Sequence, residues 1–418
     1  MRNNKGSSAI LILMFLTAMV VMIMAFIEVS KETAIKGECN ALTLLWGKAI
    51  LSEYDVNLYN DYGIMGFHGN ESDVNEKLEK YCKFTFDNRK SINYSNVETV
   101  LGEYRLSSLN NFSEEIDKRM LLCTIDTFKN KRKFRKEDEY TGIEVKNNYV
   151  LETLPSTNYE KSNSIMALKS MLVKGMSFED ITNDCFGLVY IMKYFNNNIY
   201  LRDEKETIFR NEWEYILCGK ANDEKNFNSA KRKIWLLRNA LNLGYLYQDN
   251  EKRQLALTVA ELIAPGPWMV AVHFLILETW ALIETDYDLD QLIKGEGVVL
   301  IKTGDSWHTD LDTVIDGDLF KDNLNDEEKI KLNEERHNMS NLNEGTELGV
   351  NSEMDYEKYL LMFLSTMNQD TRLLRMMDLI QMNMKLRYYR DFDLAEYNNG
   401  LTYGITVNNK EYEMNVKY

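Results

Sequence analysis

The sequence predicts an α+β protein, mostly α: an N-terminal transmembrane helix continuing into a long stem helix, a small antiparallel sheet and a large helical block. Three observations carry this. The run from Ala9 to Ile27 holds no charge, and at about 1.5 Å per helical residue it spans about 28 Å, the thickness of a bilayer's hydrocarbon core. Only three prolines occur in 418 residues, Pro155, Pro265 and Pro267, which permits long helices. Strand-like alternation appears at Ser95 to Leu106 and at Leu401 to Val416, with helical periodicity between.

Arg2 and Lys5 precede the apolar run without an acid, whereas Glu28, Lys31, Glu32, Lys36 and Glu38 follow it. Positive residues stay on the cytoplasmic side, so the leader is expected inside the cell and the bulk of the chain outside. The run is longer than the apolar region of a cleaved signal, and Phe26-Ile27-Glu28-Val29 offers no small-residue cleavage site. A retained single-pass anchor in the cell membrane follows, with Ala9, Leu11, Leu13, Phe15, Val20, Met24 and Ile27 facing lipid. Lys5-Gly6-Ser7-Ser8-Ala9 also resembles the junction of pilin-type precursors, whose peptidase cuts after the glycine. Gly6 and Ser7 are thus the candidate leader-peptidase site. Leu11 would be the fifth mature residue, where many pilins carry Glu.

Beyond Ile27 the helix should continue. Ala34, Ala41, Leu44, Leu45, Ala49 and Leu51 recur at helical spacing, giving a helix of about 45 residues. The glycines of Tyr62-Gly63-Ile64-Met65-Gly66-Phe67 break the pattern. Glu71 to Phe86 reads as a helix, Ser95 to Leu106 as one or two strands, and Phe112 to Phe128 as a helix capped by Ser113. Lys129 to Asn163 is polar. Its basic cluster, Lys129, Lys131, Arg132, Lys133, Arg135 and Lys136, is followed at once by Glu137, Asp138 and Glu139, as in a self-neutralising linker.

The main block, Ser164 to Asp290, contains helices at Glu212 to Leu217, Ser229 to Tyr247, Glu251 to Ile263 and Trp268 to Glu284. Asn228/Ser229 and Asp249/Asn250 are the start signals, and Pro265-Gly266-Pro267 the stop. Trp268 to Ile283 is short and contains His273 and Glu278, so it reads as a buried core helix rather than a second span. Trp235, Leu237, Leu241 and Trp280 are the expected core. Val298 to Ile301 is a short strand, and Asp305 to Val350 is acidic and loop-like, with a charged helix near Asp326 to His337. Tyr356 to Tyr388 forms two amphipathic helices split near Asn368-Gln369-Asp370. The chain closes with a hairpin turning at Asn408-Asn409. A lone hairpin is marginal in water, so it should pair with Ser95 to Leu106.

The expected organisation is a cytoplasmic leader (1–6), anchor (7–27), stem helix and first strands (28–128), polar linker (129–163), main helical block (164–304), acidic loop region (305–350), amphipathic helix pair (351–390) and C-terminal hairpin (391–418).

Function classes narrow by charge and motif. Sixty-five acids against 49 bases, net −16, disfavour nucleic acid, because binding phosphates needs a basic surface. Five cysteines without a CxxC pair read as free, mostly buried thiols. His68, His273, His308 and His337 show no i, i+4 pairing for a metal. Asp286-x-Asp288-x-Asp290 starts like a calcium loop but has Gln291 where Gly is required and Gly297 where Glu is required. No GxSxG, GxxxxGK[ST] or GxGxxG motif occurs. No catalytic, cofactor-binding or metal residue, no cofactor and no enzyme activity is therefore expected. The dense clusters Lys231 to Ala240 and Arg375 to Asn383 read as core packing plus ion pairs such as Arg375 with Asp378.

The stretch KGSSAILILMFLTAMVVMIMAFIEVS, with Ala41-Leu42, Ser52-Glu53-Tyr54-Asp55 and Tyr62-Gly63-Ile64, resembles the start of TadE/TadG-type pilus-assembly proteins. It is more closely similar to a larger uncharacterised family of bacterial membrane proteins with that start. Glu214-Tyr215-Ile216-Leu217 with Gly219-Lys220, Arg232 to Asn242, Leu300-Ile301-Lys302-Thr303 with Trp307, and Arg375 to Asn383 carry the same resemblance. It implies a Tad-like or Flp-like pilus or secretion system in a Gram-positive cell. The expected role is a structural or assembly component whose partners are the lipid bilayer and other envelope or pilus-assembly proteins. A surface binding module or adhesin is the alternative, and a surface enzyme stands third.

Overall fold

The computed structural model describes residues 5–87, 89, 92–121, 133–134, 156, 185–201, 205–317 and 353–418. They form two units, Met1–Arg119 with Asp391–Tyr418, and Met120–Arg390. The charged helix expected near Asp326 to His337, the end of the helix expected to reach Phe128, and all of the linker except 133–134 and 156 lie outside the described residues.

The first unit opens with α1, a single 47-residue helix, Lys5–Leu51. Among the described residues, nothing covers the most apolar 18-residue window of its N-terminal half, which is 0% buried. From Cys39 onward one stripe turns inward, Cys39, Thr43, Trp46 and Ile50, at the three- and four-residue spacing of a helix face. Asp55 caps α2 (Val56–Tyr62) by accepting from the Asn57 and Leu58 amides, and Gly63, at φ 69°, ends it in the left-handed conformation. After β1 (Phe67–His68), an Asn70/Asp73 capping box starts α3 (Glu71–Phe86). Strand β2 covers Tyr94–Val100 and stops short of Leu106, because Gly102–Tyr104 forms a 3-10 turn. Helix α4 runs Leu109–Leu121. Its first turn closes from the Phe112 amide to the Ser108 carbonyl, so Ser113 lies inside the helix and is not its cap.

In the second unit, β3 (Lys133–Phe134) pairs antiparallel with β4 (Tyr200–Leu201), and α5 spans Cys185–Tyr194. Helix α6 (Glu212–Cys218) leads to the 26-residue α7 (Asp223–Gln248). The Asn222 side chain takes the cap of α7 by accepting from the Lys225 amide, so the helix begins before the expected Asn228/Ser229 start. Asp249 caps α8 (Asn250–Ile263), and α9 (Met269–Ile293) extends well past Glu284. Strand β5 (Val298–Val299), α10 (Leu311–Ile315), β6 (Glu353–Met354), which pairs with β5, α11 (Tyr356–Thr366) and α12 (Gln369–Arg387) follow. The Asn368 side chain caps α12 at the expected split.

Helices α8, α9 and α10 share a core of Leu255, Val259, Ile276, Leu277, Trp280, Leu311 and Val314. Leu237 and Trp280 are buried as expected. Trp235 and Leu241 are only half-buried, because α7 turns Ile234, Leu237, Arg238 and Asn242 inward instead. The indole of Trp235 donates to Asp286 at 2.7 Å. Helix α9, expected as a buried core helix, is buried along its later turns only. Trp268 before it and Val270 and Phe274 within it are exposed, and burial begins at Ile276.

The chain then returns to the first unit with β7 (Tyr397–Asn398), β8 (Gly400–Val407) and β9 (Lys410–Lys417). Asn408 and Asn409, at φ 49° and 64°, make the two-residue hairpin turn. Strand β8 pairs with β2 from Tyr94↔Val407 to Val100↔Thr402, with a bulge at Asn96, so the sheet order is β2-β8-β9. The expected pairing of the terminal hairpin with the early strand is present. Leu401, Tyr403, Ile405 and Val407 alternate into a core shared with Trp46, Leu78 and Phe86. The Tyr403 hydroxyl donates to the Thr43 carbonyl of α1.

Gly47 lets α1 approach β9 closely. A Cβ there would lie 2.8 Å from Val416 Cγ2. Gly47→Leu should destabilise the first unit by about 1–3 kcal/mol. Gly37→Ala, with open space around it, should instead gain about 0.5–1 kcal/mol from helix propensity. Thermal unfolding of the two variants in detergent micelles checks the contrast.

Candidate functional site: an uncovered apolar helix and a buried ion cluster

Gly6, Ser7 and Ala9 lie in the opening turns of α1. Leu11, Leu13, Phe15, Val20, Met24 and Ile27 are all exposed, from 45% at Val20 to 72% at Phe15, and with the equally exposed Ile10, Ile12 and Met14 they cover every side of the helix. A helix apolar all round must be covered by lipid or by other subunits. The structure thus defines one apolar N-terminal helix fit to cross a membrane.

The second feature lies in the helical unit. Arg238 on α7 is fully buried and uses its whole guanidinium. Nε and Nη2 donate to Asp288 Oδ2 at 3.0 and 2.5 Å, and Nη2 also donates to Asn242 Oδ1 at 3.0 Å. Nη1 donates to the Val299 and Leu300 carbonyls at 3.0 and 2.8 Å and to the Tyr359 hydroxyl at 3.3 Å. One side chain thereby ties together α7, α9, the β5 segment and α11. Burial alone would lower the Arg238 pKa, yet its surroundings, chiefly Tyr359 and Asp288, raise it.

Glu284 and Asp288 stand four residues apart on α9, extending the buried stripe of Leu277, Trp280 and Ala281. Between their carboxylates sits the Lys302 ammonium, 2.5 Å from Glu284 Oε1 and 2.7 Å from Asp288 Oδ1. It also donates to the Ser306 carbonyl at 2.8 Å. A Thr303/Ser306 capping box folds the following turn back, so the His308 amide (3.2 Å) and the Thr309 amide and hydroxyl (2.9 and 2.8 Å) donate to Glu284 Oε2. Burial pushes the Glu284 carboxyl up, but these donors and Lys302 outweigh it and hold the pKa below the ordinary value.

Glu284, Asp288 and His308 each offer an atom within 4.8 Å of the others, the spacing of a metal triad. The Lys302 ammonium already occupies the cation position, 3.3 Å from His308 Nδ1. Two buried cations, Arg238 and Lys302, meet two buried anions, so the cluster is neutral. None of these four residues was singled out from the sequence as a site. The signal available was periodic: Arg238 falls on the apolar face of α7, and Glu284 and Asp288 fall on that of α9.

A second group of buried acids surrounds α6. Glu212 accepts from the Asn196 amide and the Asn383 side chain, both at 2.7 Å. Glu214 Oε1 accepts from Tyr356 at 2.9 Å and from the Asn198 amide at 3.1 Å. Burial pushes both carboxyls up to about 7. Asp378, pushed up to about 6 by burial, accepts from the Tyr215 hydroxyl at 2.8 Å and the Ser156 amide at 3.0 Å. Arg375 donates to the Ile216 carbonyl at 2.8 Å.

An exposed apolar N-terminal helix on a small α+β unit, with a large helical unit between β2 and β8, defines the class. The chain belongs to a family of unknown function (DUF5702), whose pattern it matches over residues 142–409. No curated protein and no solved structure matches it.

Breaking one partner of a buried ion pair strands the other. Arg238→Met should therefore cost about 3–5 kcal/mol, read as a fall in the unfolding temperature. A pH effect follows from Glu212 and Glu214. Their raised pKa values mean that the folded state keeps protons which the unfolded chain releases above about 4.5. This contribution is full below pH 4.5 and is lost as the pH rises through about 7, on the order of a few kcal/mol per group. Glu214→Gln, which stays neutral, should flatten that decline in denaturant titrations between pH 4.5 and 8.

Proposed function

We propose that this chain is a single-pass membrane-anchored surface protein, a structural or assembly component of a Tad/Flp-like pilus or secretion system. The observation that carries the reading is α1. Its outer half is packed against the three-stranded sheet, while its inner half is apolar and uncovered. A long N-terminal helix with a small antiparallel sheet laid on its outer half is a pilin-like stem, in keeping with the TadE/TadG-like start. The positive bias of Arg2 and Lys5 supports a cytoplasmic N-terminus with the bulk of the chain outside. Leader cleavage between Gly6 and Ser7 belongs to the same reading. In it the chain acts by assembly with envelope proteins and the bilayer rather than by catalysis.

An adhesin role draws support from the exposed Trp268, Val270 and Phe274, an apolar patch on the helical unit. The test is crosslinking in intact cells with a C-terminal tag, with external protease as the companion measurement. Protease should remove the tag, and pilus or secretion components should be recovered on it. A protected tag overturns the topology, and recovery of host-surface ligands alone transfers the role to the adhesin.

A further inference from the structure

We propose that Lys302 and Asp288 become joined by an intramolecular amide bond, with Glu284 carrying the protons. The two oxygens of Asp288 are held differently. Oδ2 accepts from Arg238 Nε (3.0 Å), Arg238 Nη2 (2.5 Å) and Asn242 Nδ2 (3.0 Å). Oδ1 is buried and accepts no hydrogen bond. Its close neighbour is Lys302 Nζ at 2.7 Å, which lies off any hydrogen-bonding direction. The amine is thus set against the carboxyl group without being spent on a hydrogen bond to it. Glu284 Oε1, 2.5 Å from the same nitrogen, is placed to take its proton. The hydrogen bonds to the Glu284 carboxylate keep it ionised and ready to do so.

The step balances with these groups alone. Glu284 takes a proton from the Lys302 ammonium and passes it to Asp288 Oδ1. The free amine attacks Asp288 Cγ, and the charge that develops on Oδ2 falls into the cradle of Arg238 and Asn242, placed as an oxyanion hole. Glu284 moves a second proton from nitrogen to Oδ1, the Cγ–Oδ1 bond breaks, and Oδ1 leaves as water. Oδ2 remains as the amide carbonyl, still facing its three donors, and one hydrogen stays on nitrogen. Nothing is oxidised or reduced.

The interior also supplies the driving force. In water a carboxylate and an ammonium resist condensation because both ions are solvated. Lys302 is 1% exposed, and Asp288 and Glu284 are 0% exposed, so that solvation is gone. The amide turns four buried charges into two, Arg238 and Glu284, which still cancel. Holding the partners in contact replaces a bimolecular encounter by a fixed geometry.

The experiment is a tryptic digest of the full chain purified in detergent, read by mass spectrometry. Peptide-level detection separates this bond from any change at the leader. Wild-type protein should yield a branched peptide joining the Asp288 and Lys302 segments, lighter by one water than their sum, with no cleavage after Lys302. Glu284→Gln should form it about 100-fold more slowly, the scale of a lost general acid–base. The wild-type digest decides the matter even if that variant fails to fold. Two separate peptides from the wild type, or undiminished branching in Glu284→Gln, overturns the proposal.

Discussion

A two-stranded hairpin does not persist in water without a cover, and the C-terminal hairpin of this chain finds its cover at the other end of the sequence. Strand β8 is the centre of the sheet, with β2 on one side and β9 on the other. The first unit therefore cannot be built from either end alone. Helix α1 needs β9 against Gly47, β2 needs β8, and α3 needs β2 and the Trp46–Phe86 contact, where the rings meet edge to face at 5.8 Å. With that sheet in place, the helical unit is an excursion that leaves in the last turn of α4 and returns before β7.

Inside that excursion the organising force changes. Apolar packing joins α8, α9 and α10, but polar ties made by one arginine and one lysine link α7, α9, the β5 segment and α11. Such ties are directional. Leu and Ile can slide past one another at modest cost, whereas a guanidinium with every hydrogen assigned fixes register and angle together. The cluster costs desolvation, and it specifies one arrangement of short strands and long helices that alternation and periodicity alone leave loose.

The parts legible in the sequence were those governed by solvent and by turn chemistry. The uncharged run to Ile27 marked the long apolar helix, the paired asparagines at 408 and 409 marked the hairpin, and the marginal stability of that hairpin pointed to β2. Helix starts were less legible, because several capping residues compete locally. Asn222 and the Asn228/Ser229 pair both offer a start, and Asn222, which precedes two acids, wins the cap of α7. The ion cluster was legible only in kind, as core packing plus ion pairs around Arg238, and its partners were not, for a physical reason. A charged residue in a sequence reads as surface unless its partner is known, and Asp288, the acid that Arg238 meets, lies about fifty residues onward. In the sequence Asp288 reads only as part of a calcium loop, which the neighbouring residues exclude.

The sheet of the first unit also fixes an order of events during synthesis. The apolar helix α1 leaves the ribosome before the strands that complete the sheet. Until β8 is made, β2 has no strand partner, and its edge stays open while the residues between Val100 and Gly400 are added. Closing so long a loop costs less if the helical unit has already folded and drawn its two ends inward. The first unit, which holds α1, is thus the later of the two to close, and a chain truncated before the hairpin would keep its apolar helix but lack a finished sheet.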